Sequence, residues 1–301
     1  MHEYLARLQD PNPLVRMGAA WALGQMGEAA ATPEVIRALV ERLLRDADGG
    51  VRREAAWALV WIGKAAATPE VIGDLVQALG DPYASVRQEA VWVLGSMGEA
   101  AAKKEVLQAL VQALRKDEAW GVRREAAGAL GRMGAAAATP EVLGALVQCL
   151  REDKDGDVRF EAARALGRMG EAAATSEVIG ALLERLRKDK DWGVRREAAR
   201  ALGEMGEAAA TPEVLQALTE RLREDEISWV REAAAGALGV MGKAAATPEV
   251  LGALIQRLRE DKDGQVRGVA AWALGKMGEA AAQPEVLEAL IQALRDRDSD
   301  V

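Results

Sequence analysis

The chain has 301 residues, half of them hydrophobic but only 4% aromatic, and 47 acidic against 39 basic side chains leave a net charge of -8. Acids and bases interleave along the chain, which disfavours a surface that coats nucleic acid and suits a soluble one. A single cysteine, Cys149, excludes a disulfide framework and a thiolate metal site and points to a reducing, cytoplasmic setting.

The opening segment, MHEYLARLQD, lacks a hydrophobic leader core, and no apolar run anywhere nears the ~20 residues of a membrane span. Residues 3 to 9 read as the end of a helix whose start is missing. One sentence of sequence then repeats eight times: V-R, an A-A-x-A-L-G-like run, M-G or a near equivalent, and T-P-E-V-L or a close relative. The valines are Val15, Val51, Val86, Val122, Val158, Val194, Val230 and Val266, spaced by 36 residues with a single 35. A period of that size marks a solenoid, because one such unit cannot bury its apolar face alone and neighbours must stack. The expectation is all-α and a single array over 1–301. It comprises a partial helix at 1–9, repeats starting near residues 10, 46, 81, 117, 153, 189, 225 and 261, and a truncated ninth repeat at 296–301. Such ends suggest a piece of something larger, with flanking domains.

In the second copy, Asp48 is placed to cap a helix from Gly49, in which Val51, Ala55, Ala58, Leu59 and Ile62 form a buried stripe. Gly63 and its seven counterparts, Gly27 through Gly278, should end each such helix in a left-handed conformation. The capping slot holds Asn12, Asp48, Asp155, Asp191, Asp263 and Asp298, but Tyr83, Ala119 and Ile227 break the pattern and should fray. After an Ala-rich connection, Thr68-Pro69-Glu70 starts a second helix whose apolar stripe is Val71, Ile72, Leu75, Val76 and Leu79. Lys103-Lys104 in copy three and Thr175-Ser176 in copy five predict blunter starts. Each repeat is therefore an antiparallel helix pair.

Two polar residues recur at fixed offsets. Asp stands five before each valine, at Asp10, Asp46, Asp81, Asp117, Asp153, Asp189, Asp225 and Asp261, and again at Asp296, while Arg follows each valine from Arg16 to Arg267. Stacking would set these in two rows, each Arg donating to carboxylates of its own and the adjacent unit, a structural ladder. Cys149 occupies a slot that other copies fill with Ala or Arg, so a partly exposed, incidental thiol is expected.

The run D-P-x-x-x-V-R at Asp10 to Arg16 and at Asp81 to Arg87, followed by A-A-x-A-L-G-x-M-G, resembles the HEAT-like repeat family over essentially the whole chain. The resemblance implies a right-handed α-solenoid of about eight helix pairs. It is similar in particular to the sensor arrays of bacterial NACHT-type signalling ATPases and to artificial α-helical repeat binders. In those binders the ligand-reading positions lie on the V-R helix, which here would line the concave face. Such arrays serve as scaffolds, transport receptors, bilin-lyase subunits and DNA-repair enzymes, so the likeness speaks to fold more than to function.

Catalysis has little to work with: His2 is the only histidine, and neither a phosphate-cradling loop nor a metal-ligand spacing occurs, so no enzyme, cofactor or metal is expected. Binding has more. Counting each valine as zero, positions -2, -1, +2, +3, +6 and +10 fall off the buried stripe, and -2, +2, +6 and +10 form one row. Trp21, Trp57, Trp92 and Trp272 stand at +6, Trp61 at +10, Trp120 and Trp192 at -2, Trp229 at -1 and Phe160 at +2. Arg124, Arg132, Arg164, Arg168, Arg196 and Arg200 add a basic stretch over copies four to six, which Glu125, Glu161 and Glu197 at +3 partly neutralise. These residues make the candidate surface for a protein or peptide with an acidic segment and an apolar one. The alternatives are a nucleic-acid-binding array, with Trp stacking bases and Arg tracking phosphates, a structural spacer or engineered scaffold without a natural ligand, and tryptophans that only fill gaps between repeats.

Overall fold

The computed structural model describes residues 2–294, in two compact units, Met1–Ala145 and Leu146–Val301. The expected ninth repeat, with Asp296 and Asp298, lies outside the described residues. The first unit holds α1 (His2–Arg7), α2 (Pro13–Gln25), α3 (Pro33–Arg45), α4 (Gly49–Ile62), α5 (Pro69–Ala78), α6 (Ala84–Ser96), α7 (Lys104–Lys116) and α8 (Trp120–Arg132), and the unit boundary falls inside α9 (Pro140–Glu152). The second holds α10 (Gly156–Arg168), α11 (Ser176–Lys188), α12 (Trp192–Glu204), α13 (Pro212–Glu224), α14 (Ser228–Met241), α15 (Pro248–Glu260), α16 (Gly264–Lys276) and α17 (Pro284–Ala293).

Each unit is a two-layer α-solenoid. In the first, the V-R helices α2, α4, α6 and α8 pack in series, α3, α5 and α7 form the second layer, and each of these three leans on the V-R helix that follows it. In the second, α10, α12, α14 and α16 make one layer and α11, α13, α15 and α17 the other. The stripe read from copy two is buried throughout, from Val51 to Ile62.

Start signals act as the sequence implies. Asn12, Asp48, Asp155, Asp191 and Asp263 accept main-chain N–H bonds from the first turns of their helices. Tyr83, Ala119 and Ile227 give no side-chain cap, yet α6, α8 and α14 start in the same register as the others. There the Asp two residues earlier holds the loop: Tyr83, Ala119 and Ile227 donate their N–H groups to Asp81, Asp117 and Asp225 at 2.8, 2.9 and 3.1 Å. Thr175 caps α11 through the N–H of Val178 despite the missing proline, so copy five starts as sharply as its neighbours. Lys103 has no such bond.

Three details differ from the sequence reading. The helix-ending glycines have φ from 54° to 71°, but Gly63 and Gly242 pair this with ψ of -141° and -132°, a mirror-image extended conformation open to glycine rather than the left-handed helical one. The Ala-rich connection is a one-turn 3-10 helix in every copy, as at Gly63–Ala66. Cys149 is buried rather than partly exposed.

The glycine of A-L-G is where consecutive V-R helices cross. A methyl carbon at Gly24, Gly95, Gly203 or Gly239 would sit 2.9, 2.7, 2.7 or 2.8 Å from the Cα of Ala58, Ala129, Ala237 or Ala273 on the next V-R helix. Only glycine over alanine permits that approach.

Beside each crossing is the Arg–Asp ladder. Arg159 donates Nε and Nη2 to Asp189 Oδ2 and Oδ1, both at 2.9 Å, in a buried two-pronged pair. The same geometry joins Arg16 to Asp46, Arg87 to Asp117, Arg195 to Asp225 and Arg231 to Asp261. The partner carboxylate always belongs to the following repeat. Within its own repeat the Arg reaches main-chain carbonyls instead, as Arg159 does at Asp153 and Lys154, because the local carboxylate is occupied in holding its loop. The ladder thus links neighbours where the sequence had implied bonds to both carboxylates. Burial raises the pKa of Asp46, Asp117, Asp189, Asp225 and Asp261, but Arg hydrogen bonds, the loop N–H and Coulomb attraction together hold each below the usual carboxylate range.

A depressed folded pKa means the stabilisation is complete above the unfolded Asp value, about 4, and is lost as pH falls through the lowered one. The melting temperature of the chain is therefore expected to hold from neutral pH to about 5 and to drop below about 4. Asp189→Ala should remove ~3 kcal/mol at pH 7 by leaving Arg159 buried and unpaired, which a melt unchanged from the parent would contradict. Gly203→Ala should destabilise by ~1–3 kcal/mol through overpacking, whereas Gly252→Ala, on α15 with open space around it, should stabilise by up to ~1 kcal/mol. Paired thermal and urea melts check both signs.

Candidate binding surface

The short helix-pair core leaves one face of every V-R helix outside it, and the proposed positions lie there. Trp21, Trp57, Trp61, Trp120, Trp192, Trp229 and Trp272 are all more than a third exposed, while Trp92 and Phe160 are half-buried. In the first unit the structure gathers three of them. The Trp57 ring centroid lies 5.9 Å from that of Trp61 and 4.7 Å from that of Trp92, the latter edge-on. Trp61 also packs over the α2 crossing, since a methyl at Gly24 would meet its ring at 2.6 Å. That tryptophan fills a gap between repeats as well as facing solvent. Arg124 stacks on Trp120 at 5.3 Å from the ring centroid.

In the second unit Trp192 and Trp229 pair with centroids 5.0 Å apart. Trp272 covers Gly239, as Trp61 covers Gly24, and carries Lys276 over its ring at 5.6 Å. A cleft of about 430 Å³ lies between α12, α14 and α16, lined by Arg196, Arg200, Glu204, Val240, Val269 and Trp272 among others. Arg164 is taken up by Glu161 at 3.3 Å, and in the first unit Arg132 by Glu125 at 2.6 Å. Trp57, Trp61 and Trp92 belong to the first unit and Arg164, Arg168 and Arg200 to the second.

What the sequence reading undervalued is the acid at +3. Glu54, Glu89 and Glu125 occupy it in the first unit, Glu161 and Glu197 in the second. Burial between V-R helices raises the pKa of Glu54 and Glu197, the latter against Arg200, Arg164 and Arg196. Glu89 is pushed up to about 7 by the same cause, and its Oε2 is shut off from water without a hydrogen-bond partner. The signal was present: Glu recurs at a slot where a freely solvated side chain would vary.

Among the described residues no group of His, Cys, Asp or Glu is arranged to hold a metal ion, and no helix is long and apolar enough to cross a membrane. HEAT-repeat sequences match residues 3–60, 72–167, 143–239 and 237–301, and the PBS lyase HEAT-like repeat matches 51–81. The chain belongs to the HEAT-repeat family. No curated protein matches it. Among solved structures, this HEAT array is similar to an engineered protein at 25% identity and a TM-score of 0.50, covering 67% of this chain and 95% of that one. It is also similar to importin beta at 22% identity and a TM-score of 0.63, covering 97% of this chain and 42% of importin beta, a likeness of fold alone.

If the tryptophans are the surface described, iodide should quench most of the native indole fluorescence, with Trp57→Phe, Trp61→Phe and Trp229→Phe each removing a quenchable part. Trp92→Phe should remove a shielded one. Emission that iodide does not reach in the folded chain would return all eight to inter-repeat packing.

Proposed function

We propose that this HEAT array is a non-catalytic recognition scaffold that seats a protein or peptide segment on a concave surface lined by its V-R helices. One observation carries the reading: seven of eight tryptophans stand more than a third exposed on that helix set, two clusters among them, while the core is built of Ala, Leu and Val. Large exposed aromatics weigh against solubility and are common anchors of interfaces. The proposed partner offers acidic groups to Arg124 and Arg132 of the first unit and to Arg164, Arg168, Arg196 and Arg200 of the second, and apolar side chains to Trp21, Trp57, Trp61 and Trp92 of the first. A phosphate-tracking role is less well supported, since the chain carries a net charge of -8 and acids interleave with the bases of this row. Cytoplasmic residence and a sensor role in a larger protein fit the same reading.

The test is peptide display against the immobilised chain. Selected peptides should lose ~2 kcal/mol of binding with Trp57→Ala or Trp192→Ala while the melt stays close to that of the parent, and Arg164→Glu should weaken them more at low salt than at high. Binders indifferent to all three changes would place recognition elsewhere.

A further inference from the structure

Three departures from the repeat coincide at one junction of the first unit. The Val51 to Val86 interval is the one that is a residue short, and α5 has 10 residues where α3 and α7 have 13. The glycine-over-alanine crossing is replaced, with Val60 at the glycine position and Val93 at the alanine position. The ladder is altered too: Arg52 donates to Ser85 Oγ at 3.1 Å and to the carbonyls of Asp46 and Ala47. Two valines hold helices apart that glycine and alanine let touch, and α4 meets α6 more sparingly than α2 meets α4 or α6 meets α8.

A cleft of about 290 Å³ opens there, with Trp57, Trp92, Gln88, Glu89, Arg53 and Glu125 in its lining. The two indoles form adjacent walls, their centroids 4.7 Å apart and edge to face. Glu89 supplies the buried oxygen without a donor. An aromatic face attracts a cation, and the Glu89 carboxylate in the lining of the same cleft supplies the counter-charge, its closed-off Oε2 having no protein donor to compensate it.

We propose that this cleft seats an alkylammonium group, the chemistry of a lysine side chain, between Trp57 and Trp92 with Glu89 as its counter-ion. This rests on the recognition function above and deepens it: the partner presents a basic residue to copies two and three, where apolar contact alone had been expected. Of the other charges around Glu89, Arg52 and Arg53 on α4 attract it through space, Glu125 on α8 is engaged by Arg132, and α3 and α5 bring no charged side chain to the cleft. Arg53 opposes an incoming cation, so specificity comes from Glu89 and the rings. Because the folded carboxyl titrates near 7, binding of a cation draws its proton off and strengthens with pH.

The experiment titrates the full chain with N-acetyl-lysine methylamide and its trimethylated form, using N-acetyl-glutamate methylamide as the charge control and indole fluorescence and indole N–H shifts as readouts. Both cationic probes should bind saturably, and their affinity should rise about tenfold between about pH 6 and about pH 8 as the ionised fraction of Glu89 rises. Glu89→Gln should cost about tenfold at pH 8 and flatten the profile, and Arg53→Ala should tighten binding. A raised folded pKa stabilises below the unfolded Glu value and loses that advantage as pH rises through about 7, so Glu89→Gln should melt higher than the parent at pH 8. Loss of binding in that variant is then not loss of fold. The proposal is overturned if the lysine probes do not saturate, if the glutamate probe binds equally well, or if Glu89→Gln leaves affinity and pH profile intact. Display-selected peptides separate this from the broader reading. Binders sensitive to Trp57→Ala but not to Glu89→Gln, and lacking lysine, overturn the ammonium seat and keep the surface, whereas binders sensitive to neither overturn both.

Discussion

The closeness with which one V-R helix lies on the next is the constraint on which the rest depends. A single added carbon at Gly203 would come 2.7 Å from Ala237 Cα, so at the glycine-over-alanine crossings backbones approach nearly to contact and are held by dispersion between small groups. The layer is fixed laterally by the Arg–Asp pairs, whose two parallel hydrogen bonds lock one repeat against the next. Burial alone would make each pair expensive; the hydrogen bonds from the ladder Arg itself, then the loop N–H, and last a further Arg, such as Arg42 at Asp46 or Arg185 at Asp189, bring the carboxylates below their ordinary pKa.

A core made of small residues has a consequence for the surface. Alanine stripes leave the outward edges of the V-R helices free of packing duties, and large side chains there can lean on the next helix without displacing it. Trp61 over Gly24 and Trp272 over Gly239 show how: the indole uses the hollow above a crossing glycine as a foothold and keeps the rest of its face in solvent. Packing and recognition are therefore two faces of the same side chain. The acids at +3 sit between helices at the same level, which explains why several arginines of the expected basic row are already engaged.

Regularity sets the rule, and the second junction of the first unit breaks it in three ways at once. Val60 and Val93 occupy the crossing, α5 is three residues shorter than α3 and α7, and Arg52 turns to Ser85. The loosened interface holds a carboxylate with a buried, unsatisfied oxygen, a state that works against stability. Stability forgone next to a tryptophan-walled cleft is the pattern of a site shaped by something other than folding.

The period, the glycine stops, the Thr-Pro-Glu starts and the invariant Asp and Arg were legible in the chain because each is a local signal repeated eight times, and repetition averages out the ambiguity of any one copy. Helical spacing alone also showed the exposed face of the V-R helices, but it wrongly put position +3 there, where Glu197 is buried and Glu89 has a closed-off oxygen. The sequence could not assign partners across repeats: that Arg159 holds the carboxylate of Asp189 and only the carbonyl of Asp153 depends on which atoms stacking brings within 3 Å. Nor could it show that Cys149 is buried, that Thr175 caps without proline, or that Glu89 is desolvated while Glu125 is paired. Burial and charge state at a given slot are set by the neighbouring repeat, and that neighbour is supplied by the tertiary structure, not by the repeat's own sequence.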